Sequence, residues 1–347
     1  MPLFAFATSL PLLLTALAAL FGGVWGWLAV GYMTVLVACL DRLIARTVRN
    51  PDPEAGFPAA DALLVALGLG HFVVLALALA GVAGATGLDP AERVLAGIAA
   101  GLVAGQIAHP VAHELIHRGA RGKRRLGRLI YTSLLCGHHA SAHLLVHHPH
   151  VATSADPVSA RRGEGFYRYM TRAWPGAFRA GLRAETRRHG RLGPQHPYAL
   201  YLGGAAAMIS GAALLWGWQG LLALGVIAGY AQVQILQADY VQHYGLQRAM
   251  RADGRPEPVG PAHSWNAPHW YSSAMTLNAP RHSDHHVTPQ RPYPALQLAP
   301  RTMPVLPYSL PVMAALALVP PLWRRVMDRR AARWRESSGE GRRDLAR

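Results

Sequence analysis

Cysteine and charge are both scarce in this chain. Only two cysteines, Cys39 and Cys136, occur among the 347 residues, and no CxxC pair is present. These absences exclude a disulfide framework, thiolate zinc sites and iron–sulfur clusters. Charged residues make up 15% of the sequence and hydrophobic residues 51%, whereas soluble domains carry about 25% charged residues. The deficit of charge indicates a protein of the lipid bilayer.

Long stretches without charge divide the chain. Residues 3–40 contain no charged residue, and about 20 apolar residues suffice to cross a bilayer. We therefore predict an all-α integral membrane protein, a single membrane domain over residues 1–347 with six transmembrane helices. Turns at Phe21-Gly22-Gly23 and near Trp216-Gly217 separate the first two and the last two spans. The predicted spans are, approximately, residues 3–21, 23–40, 62–85, 91–112, 198–216 and 219–240.

Acidic residues are few, and the positions of the basic residues predict how the chain is oriented in the membrane. The chain has 34 Lys and Arg against 18 Asp and Glu. Residues 118–196 hold 15 basic and 3 acidic residues, and residues 241–347 hold 15 and 7. The positive-inside rule therefore places both termini in the cytoplasm, with cytoplasmic catalytic segments at 113–197 and 241–347, in the inner (cytoplasmic) membrane. Because the basic charge follows topology, we expect no nucleic-acid partner.

Histidine is abundant, with 18 residues, and half of these fall into four short groups. The fourth and sixth spans run in the same direction and end just before the first and third groups, so we expect all four at one membrane face. Imidazoles at i, i+3 and i+4 share one face of a helix and can converge on a metal ion. The nine candidate ligands are His113, His117, His143, His147, His148, His243, His282, His285 and His286.

Two other metalloprotein classes share part of this pattern. His113-Glu114-Leu115-Ile116-His117 fits the HExxH motif of zinc proteases, but zinc is satisfied by three protein ligands and a water. Nine imidazoles are too many for one ion and suit two. A metal transporter is disfavoured because transporter sites line helices near the middle of the bilayer, whereas these groups follow helix ends. Imidazole alone does not select among zinc, copper, iron and nickel.

The boxes HExxH, HxxxHH and HxxHH across a six-span frame resemble the membrane di-iron oxygenases, which include desaturases, hydroxylases and alkane monooxygenases. The segments most similar to the alkane 1-monooxygenase family are residues 151–157, 236–246, 263–266, 281–286 and 320–328, and the resemblance covers about residues 105–330. The chain departs from that family's pattern in four places. It has Ala142 and Val146 where the family usually has Glu and Gly, and Asp239 and Gln242 where it usually has Asn and Glu.

The resemblance implies a cytoplasmic-side di-iron site with two non-haem Fe ions. It implies a monooxygenase that uses O2 and two electrons to hydroxylate a terminal methyl of an alkane to a primary alcohol. A related di-iron hydroxylase or desaturase of a fatty-acyl, aromatic or terpenoid substrate is the alternative. The sequence has no flavin or nicotinamide motif, so we expect rubredoxin or ferredoxin, with an NAD(P)H-dependent reductase, as electron donor, and an apolar substrate delivered by membrane lipid. Glu114, Asp284 and Gln242 are predicted to orient ligand histidines through their ring N–H groups, with Asp239 as the alternative to Gln242 for His243.

Overall fold

The computed structural model describes residues 1–44 and 49–345, with side chains up to residue 336. The described residues form helices and loops, with two isolated β-bridges and no strand, so the all-α prediction is confirmed. Residues 45–48, which include Arg46 of the predicted loop after the second span, lie outside the described part.

Twelve helices of the described chain are numbered here in order. The first four are α1 (Pro2–Phe21), α2 (Val24–Leu43), α3 (Pro58–Ala83) and α4 (Pro90–Ile116). The next four are α5 (Arg121–Ser133), α6 (residues 138–150), α7 (Phe166–His189) and α8 (Pro197–His243). The last four are α9 (Trp270–Met275), α10 (His282–Val287), α11 (Leu310–Ala317) and α12 (Pro320–Leu345).

Five of these helices, α1, α2, α3, α4 and α8, are long and apolar enough to cross a membrane. Their most apolar windows have mean hydropathies of 1.6 to 2.5 and hold at most two charged residues. In a helix the backbone groups bond to one another, which allows such segments to lie in lipid. The chain is therefore a multi-pass membrane protein.

Helix α8 has 47 residues but reverses direction within its length. Gly217 lies at φ 59°, ψ −142°, a conformation nearly identical to that of Gly22 between α1 and α2, at φ 61°, ψ −139°. A Cβ on Gly220 would overlap the carbonyl oxygen of Ala212, eight residues earlier. In a straight helix these residues would be about 12 Å apart. The chain folds back at Gly217, where the sequence predicts the turn between the fifth and sixth spans.

The start of α4 is fixed by a capping box. The Asp89 carboxylate accepts the N–H of Glu92 at 2.9 Å, and the Glu92 carboxylate accepts the N–H of Asp89 at 2.9 Å. The other Glu92 oxygen accepts the N–H of Gly23 at 2.7 Å, which ties α4 to the turn between α1 and α2. Helix α4 is the most buried of the five apolar helices. It therefore carries its last residues to a fixed place inside the bundle.

Two apolar cores flank the histidine groups. One joins α1 to α4 with α5, α9 and neighbouring loops. The other packs α7, the end of α8, α11 and α12 together. In the second core the buried Trp323 ring lies 5.1 Å from the ring of Tyr240 and 5.2 Å from that of Tyr244. These contacts hold the end of α8, where His243 lies, against α12.

Candidate metal centre

The structure brings all nine predicted histidines together in two adjacent groups. Within each group every residue offers one ligand atom, and these atoms lie within 4.8 Å of one another. The ring centroids of His148 and His286, one from each group, are 4.6 Å apart. Group A consists of His113, His117, His143, His148 and His285, and group B of His147, His243, His282 and His286.

The second histidine box is divided between the two groups by a π-helical turn. Residues His143–His147 form a π segment in which the N–H of His148 bonds to the carbonyl oxygen of His143. This i to i+5 bond places His148 above His143, and their Nε2 atoms are 3.0 Å apart in group A. His147 is directed to group B instead. Regular helical spacing would have put His143 and His147 on one face.

The sequence holds a signal for this turn that the box pattern does not use. The π segment His143–His147 is followed by His148-Pro149, and a second π segment, Ala104–Ala108, is followed by His109-Pro110. Proline has no N–H, and its ring clashes with the carbonyl four residues earlier. A widened turn just before the proline relieves that clash. A His-Pro pair inside a helical histidine box is thus the feature that indicates a π turn here.

The third box also contributes to both groups. His282 and His286 join His243 in group B, with Nε2 atoms 3.0 Å (His243 to His282) and 3.1 Å (His286 to His282) apart. His285 points the other way, and its Nε2 lies 3.2 Å from that of His148 in group A.

A reciprocal pair of hydrogen bonds fixes helix α10, which carries the third box. The backbone N–H of Ser283 donates to Asn266 Oδ1 at 3.0 Å, and Asn266 Nδ2 donates to Ser283 Oγ at 2.7 Å. Both side chains are buried. This pair sets the rotation of α10 and hence the direction of its three imidazoles.

The three residues predicted to orient histidines lie at the boxes but bond to other groups. The Glu114 carboxylate accepts from Arg118 at 2.8 Å and from the N–H of Tyr293 at 3.2 Å. The Asp284 carboxylate accepts from Arg291 and from the N–H of Gln297 at 2.9 Å. Gln242 Nε2 donates to the carbonyl oxygen of Ala279 at 2.9 Å. Each of these three side chains bonds to a guanidinium or a backbone group. The bonds fix the chain segments that carry the histidine boxes.

Asp156, to which the sequence analysis assigned no role, contacts a group B histidine directly. His147 Nδ1 donates to Asp156 Oδ2 at 2.8 Å, and Ser159 Oγ donates to the same oxygen at 2.7 Å. Burial lowers the pKa of His147, but the Asp156 carboxylate outweighs burial and the net pKa is raised. Burial likewise raises the pKa of Asp156, and the contact with His147 brings it below its ordinary value. Asp156 follows the second box by eight residues, in the segment 151–157 that carries the family resemblance.

The bond to Asp156 determines which nitrogen of His147 is free. In the neutral ring, which is the form that binds metal, a donating Nδ1 leaves the lone pair on Nε2. That Nε2 is buried and has no hydrogen-bond partner among the described residues. A carboxylate behind an imidazole is the arrangement that orients histidine ligands at metal sites. His147 therefore presents an electron pair to the centre of group B.

The donor set of both groups fits transition-metal ions. Burial, followed by the neighbouring histidines, lowers the pKa values of His143 and His285 in group A and of His282 and His286 in group B well below the ordinary value. Neutral imidazoles are the form that binds metal. The bonded Nε2 pairs are 3.0 to 3.2 Å apart. Two nitrogens at about 2.1 Å from one ion are about 3.0 Å apart at a right angle and about 3.4 Å apart in a tetrahedron. Spacings of this size suit imidazoles that share one ion.

A cavity of 320 Å³ leads from the histidines to the outer surface of the helices. His113, His143 and His282 line one end, and apolar residues of α2, α4, α8 and α11 form most of the walls. Ala315 and Leu318, both exposed, line the other end. The cavity therefore joins a candidate metal centre to a lipid-facing surface.

Known proteins resemble this chain over most of its length. The fatty acid desaturase family model matches residues 91–317. The alkane 1-monooxygenase of Pseudomonas putida is 32% identical over 227 residues, which are 63% of this chain and 55% of that protein. Alkane 1-monooxygenase 1 of Pseudomonas aeruginosa is 32% identical over 306 residues, covering 83% and 78% of the two chains. Alkane 1-monooxygenase 2 of Alcanivorax borkumensis is 29% identical over 322 residues, covering 90% and 84%. The matched region thus spans about half the length of the Pseudomonas putida relative.

Proposed function

Because the chain belongs to the alkane 1-monooxygenase family, within the fatty acid desaturases, we propose that it hydroxylates a terminal methyl group of an alkane, with O2 and two electrons, to give a primary alcohol. The observation that carries the proposal is the convergence of nine buried or half-buried imidazoles, three of which line an apolar cavity. Amino-acid acids and bases alone do not cleave an unactivated C–H bond. The cavity supplies a place for a hydrocarbon beside a centre able to bind metal.

The metal ions of the proposal are two non-haem irons, one in group A and one in group B. When bound, they supply the activation of oxygen. The protein's own contribution is to direct neutral imidazoles at two adjacent points, with Asp156 holding His147 in the required tautomer. Neither group includes a carboxylate or a thiolate among the described residues. Both histidines of HExxH belong to the five-membered group A, which leaves no zinc-protease arrangement of three ligands and a water.

The substrate of the proposal enters from the bilayer. An alkane dissolves in lipid and reaches the exposed end of the cavity at Ala315 and Leu318 without crossing water. The apolar walls then guide its terminal methyl group toward the histidine end. The cavity volume of 320 Å³ lies within the range of about 300–1,000 Å³ typical of sites for small molecules. Medium-chain alkanes are the substrates that we expect.

The electron donor of the proposal is rubredoxin or ferredoxin, kept reduced by an NAD(P)H-dependent reductase. A cleft of 100 Å³ opens beside group B, and its lining includes Arg161, Arg162 and Arg335 together with Asp156. All three arginines are exposed. A basic cleft that ends at the carboxylate bonded to His147 suits the docking of an acidic electron carrier. We place this docking site on the cytoplasmic side of the inner membrane. We propose that the chain crosses this membrane six times and has both termini in the cytoplasm.

Metal analysis and a product assay together test the proposal. Purified protein should contain two irons per chain, and membranes supplied with a reducing system should convert octane or dodecane to the 1-alcohol only when oxygen is present. His282 Nε2 lies beside the Nε2 atoms of both His243 and His286 in group B. The variant His282→Ala should therefore abolish conversion. His189→Ala, at a half-exposed histidine of α7, is the matched control and should retain it. Zinc without iron, or oxygen-independent conversion, would contradict the proposal.

A further inference from the structure

The cavity wall holds polar groups that belong to neither metal group. Asp239 of α8 is 5% exposed, and His139 of α6 is 9% exposed. Asp239 Oδ2 and His139 Nε2 have no hydrogen-bond partner among the described residues, and both side chains line the cavity. Buried polar atoms are almost always hydrogen-bonded. Two unpaired groups in the cavity lining therefore indicate something that the cavity binds.

Other polar side chains of the cavity already have partners. Gln234 donates to the carbonyl oxygen of Gly101 at 2.7 Å, and Gln237 donates to that of Ala314 at 3.1 Å. Thr34, near the exposed end, donates to the carbonyl oxygen of Val30 at 2.6 Å. Among the described residues that line the cavity, the fully buried side-chain atoms without a partner outside the two metal groups are Asp239 Oδ2, His139 Nε2 and the side-chain oxygen of Gln106.

The unpaired groups lie near the reacting end of the cavity. The ring of His139 stacks on that of His143, a group A histidine, with centroids 5.6 Å apart. Asp239 is one helical turn before His243 of group B and lines the same cavity as His113 and His282. Asp239 is also a position at which this chain departs from the family pattern, which usually has Asn. A polar group held by these side chains would lie close to the carbon that reacts.

A hydroxyl group matches the chemistry of the pair. A carboxyl oxygen accepts from an O–H, and an imidazole Nε2 can donate to or accept from the same oxygen. An alkane can satisfy neither atom. We propose that Asp239 and His139 form a hydroxyl-binding site next to the metal groups, so that the cavity takes a hydrocarbon with one hydroxyl near its reacting end. The hydroxyl belongs either to the alcohol product or to an alcohol taken up as substrate, and the inference rests on the proposed function.

Equilibrium binding without an electron donor tests the site directly. The metal-loaded protein in lipid nanodiscs would be charged with radiolabelled decane, which is then displaced by 1-decanol or by unlabelled decane. Asp239→Leu should weaken the binding of 1-decanol by roughly ten- to a hundredfold, since the buried hydroxyl loses its acceptor, and should leave decane binding unchanged. Thr34→Val is the matched control, because it removes a hydroxyl of the same cavity that is already bonded, and it should not alter the ratio of the two affinities.

Thermal unfolding separates this site from a purely structural role for Asp239. Replacing an unpaired buried carboxyl by an apolar side chain should raise the melting temperature. If the leucine variant does not fold, His139→Phe keeps the test valid, because it removes the other unpaired atom and keeps an aromatic ring against His143. A lowered melting temperature in Asp239→Leu, together with unchanged 1-decanol affinity, would overturn the proposal.

Two further measurements assign the hydroxyl and separate this inference from the proposed function. The first measurement adds an electron donor and follows 1-decanol. If 1-decanol is consumed, the hydroxyl belongs to a substrate; if 1-decanol only inhibits the turnover of decane, the hydroxyl belongs to the product. Wild-type protein that fails to hydroxylate alkanes but binds 1-decanol through Asp239 would contradict the proposed function and leave this site in place. Equal 1-decanol affinity in wild type, Asp239→Leu and His139→Phe would overturn this site alone.

Discussion

Asp156→Asn is the substitution that most directly tests the metal centre. The carboxylate of Asp156 is fully buried and accepts from His147 Nδ1 at 2.8 Å, from Ser159 Oγ at 2.7 Å and, through its other oxygen, from the N–H of Val158 at 3.1 Å. Asparagine has the same shape but only one acceptor oxygen and no charge. It can receive the bonds from His147 and Ser159 only by presenting its amide nitrogen to the N–H of Val158.

The size of the effect follows from the bonds that change. A hydrogen bond to a charged group contributes about 1.5–3 kcal/mol, and one between neutral groups about 0.5–1.5 kcal/mol. The difference of about 1–1.5 kcal/mol corresponds to about tenfold in a binding constant. The mismatched N–H of Val158 adds to this loss, which agrees with the 10- to 100-fold loss of metal affinity typical for partners of metal-bound histidines. Group B should therefore lose iron before group A.

Chelator competition on the purified protein measures this loss as the iron retained per chain at increasing chelator concentration. Wild type should release its iron at one range of concentrations, and Asp156→Asn should release about half of it at roughly tenfold lower chelator. Glu185→Gln is a closely matched control, since Glu185 is also buried and accepts from a serine, Ser141, at 2.5 Å and contacts a histidine, His189, at 3.3 Å. Equal iron retention by the two variants would refute the role of Asp156.

Three further substitutions test other parts of the structure. Gly217→Ala should lower the free energy of unfolding by about 1–3 kcal/mol, because Gly217 has a positive φ. Gly229→Ala is the control: Gly229 lies in open space on the same helix, and its replacement should raise the free energy of unfolding by up to about 1 kcal/mol. Thermal unfolding in detergent compares the two variants. Replacing Arg161 and Arg162 by Gln should raise KM for the electron donor several-fold at low salt without changing iron content, and unchanged KM would remove the docking proposal. Pro149→Ala restores an N–H, so it should favour a regular helix, misdirect the second box and reduce bound iron.

The sequence predicts those features that depend on local composition. Uncharged apolar stretches with glycine turns indicate the membrane helices, and the reversal at Gly217 falls where two tryptophans and a glycine predict it. The histidine boxes are equally local, since ligands one helical turn apart must be close together whatever the rest of the chain does. All nine histidines accordingly lie in the two groups.

The division of the boxes between two groups depends on backbone geometry that composition does not specify. A single i to i+5 bond, from His148 N–H to the His143 carbonyl, changes the helical phase and sends adjacent residues to different groups. The partners of charged residues are similarly hidden, because the Glu114 carboxylate bonds to Tyr293, 179 residues later. Contacts across such separations depend on the packing of whole helices.

Helices α6 and α10 each supply ligands to both groups, and this interleaving makes the two groups one structural unit. Helix α6 gives His143 and His148 to group A and His147 to group B, whereas α10 gives His285 to group A and two histidines to group B. Each helix can satisfy both groups only in one rotation, which the π turn sets for α6 and the Asn266 to Ser283 bonds set for α10. A shift of either helix therefore disturbs both groups at once. The residues that fix these rotations are thus as necessary to the centre as the imidazoles, although they carry no ligand atom.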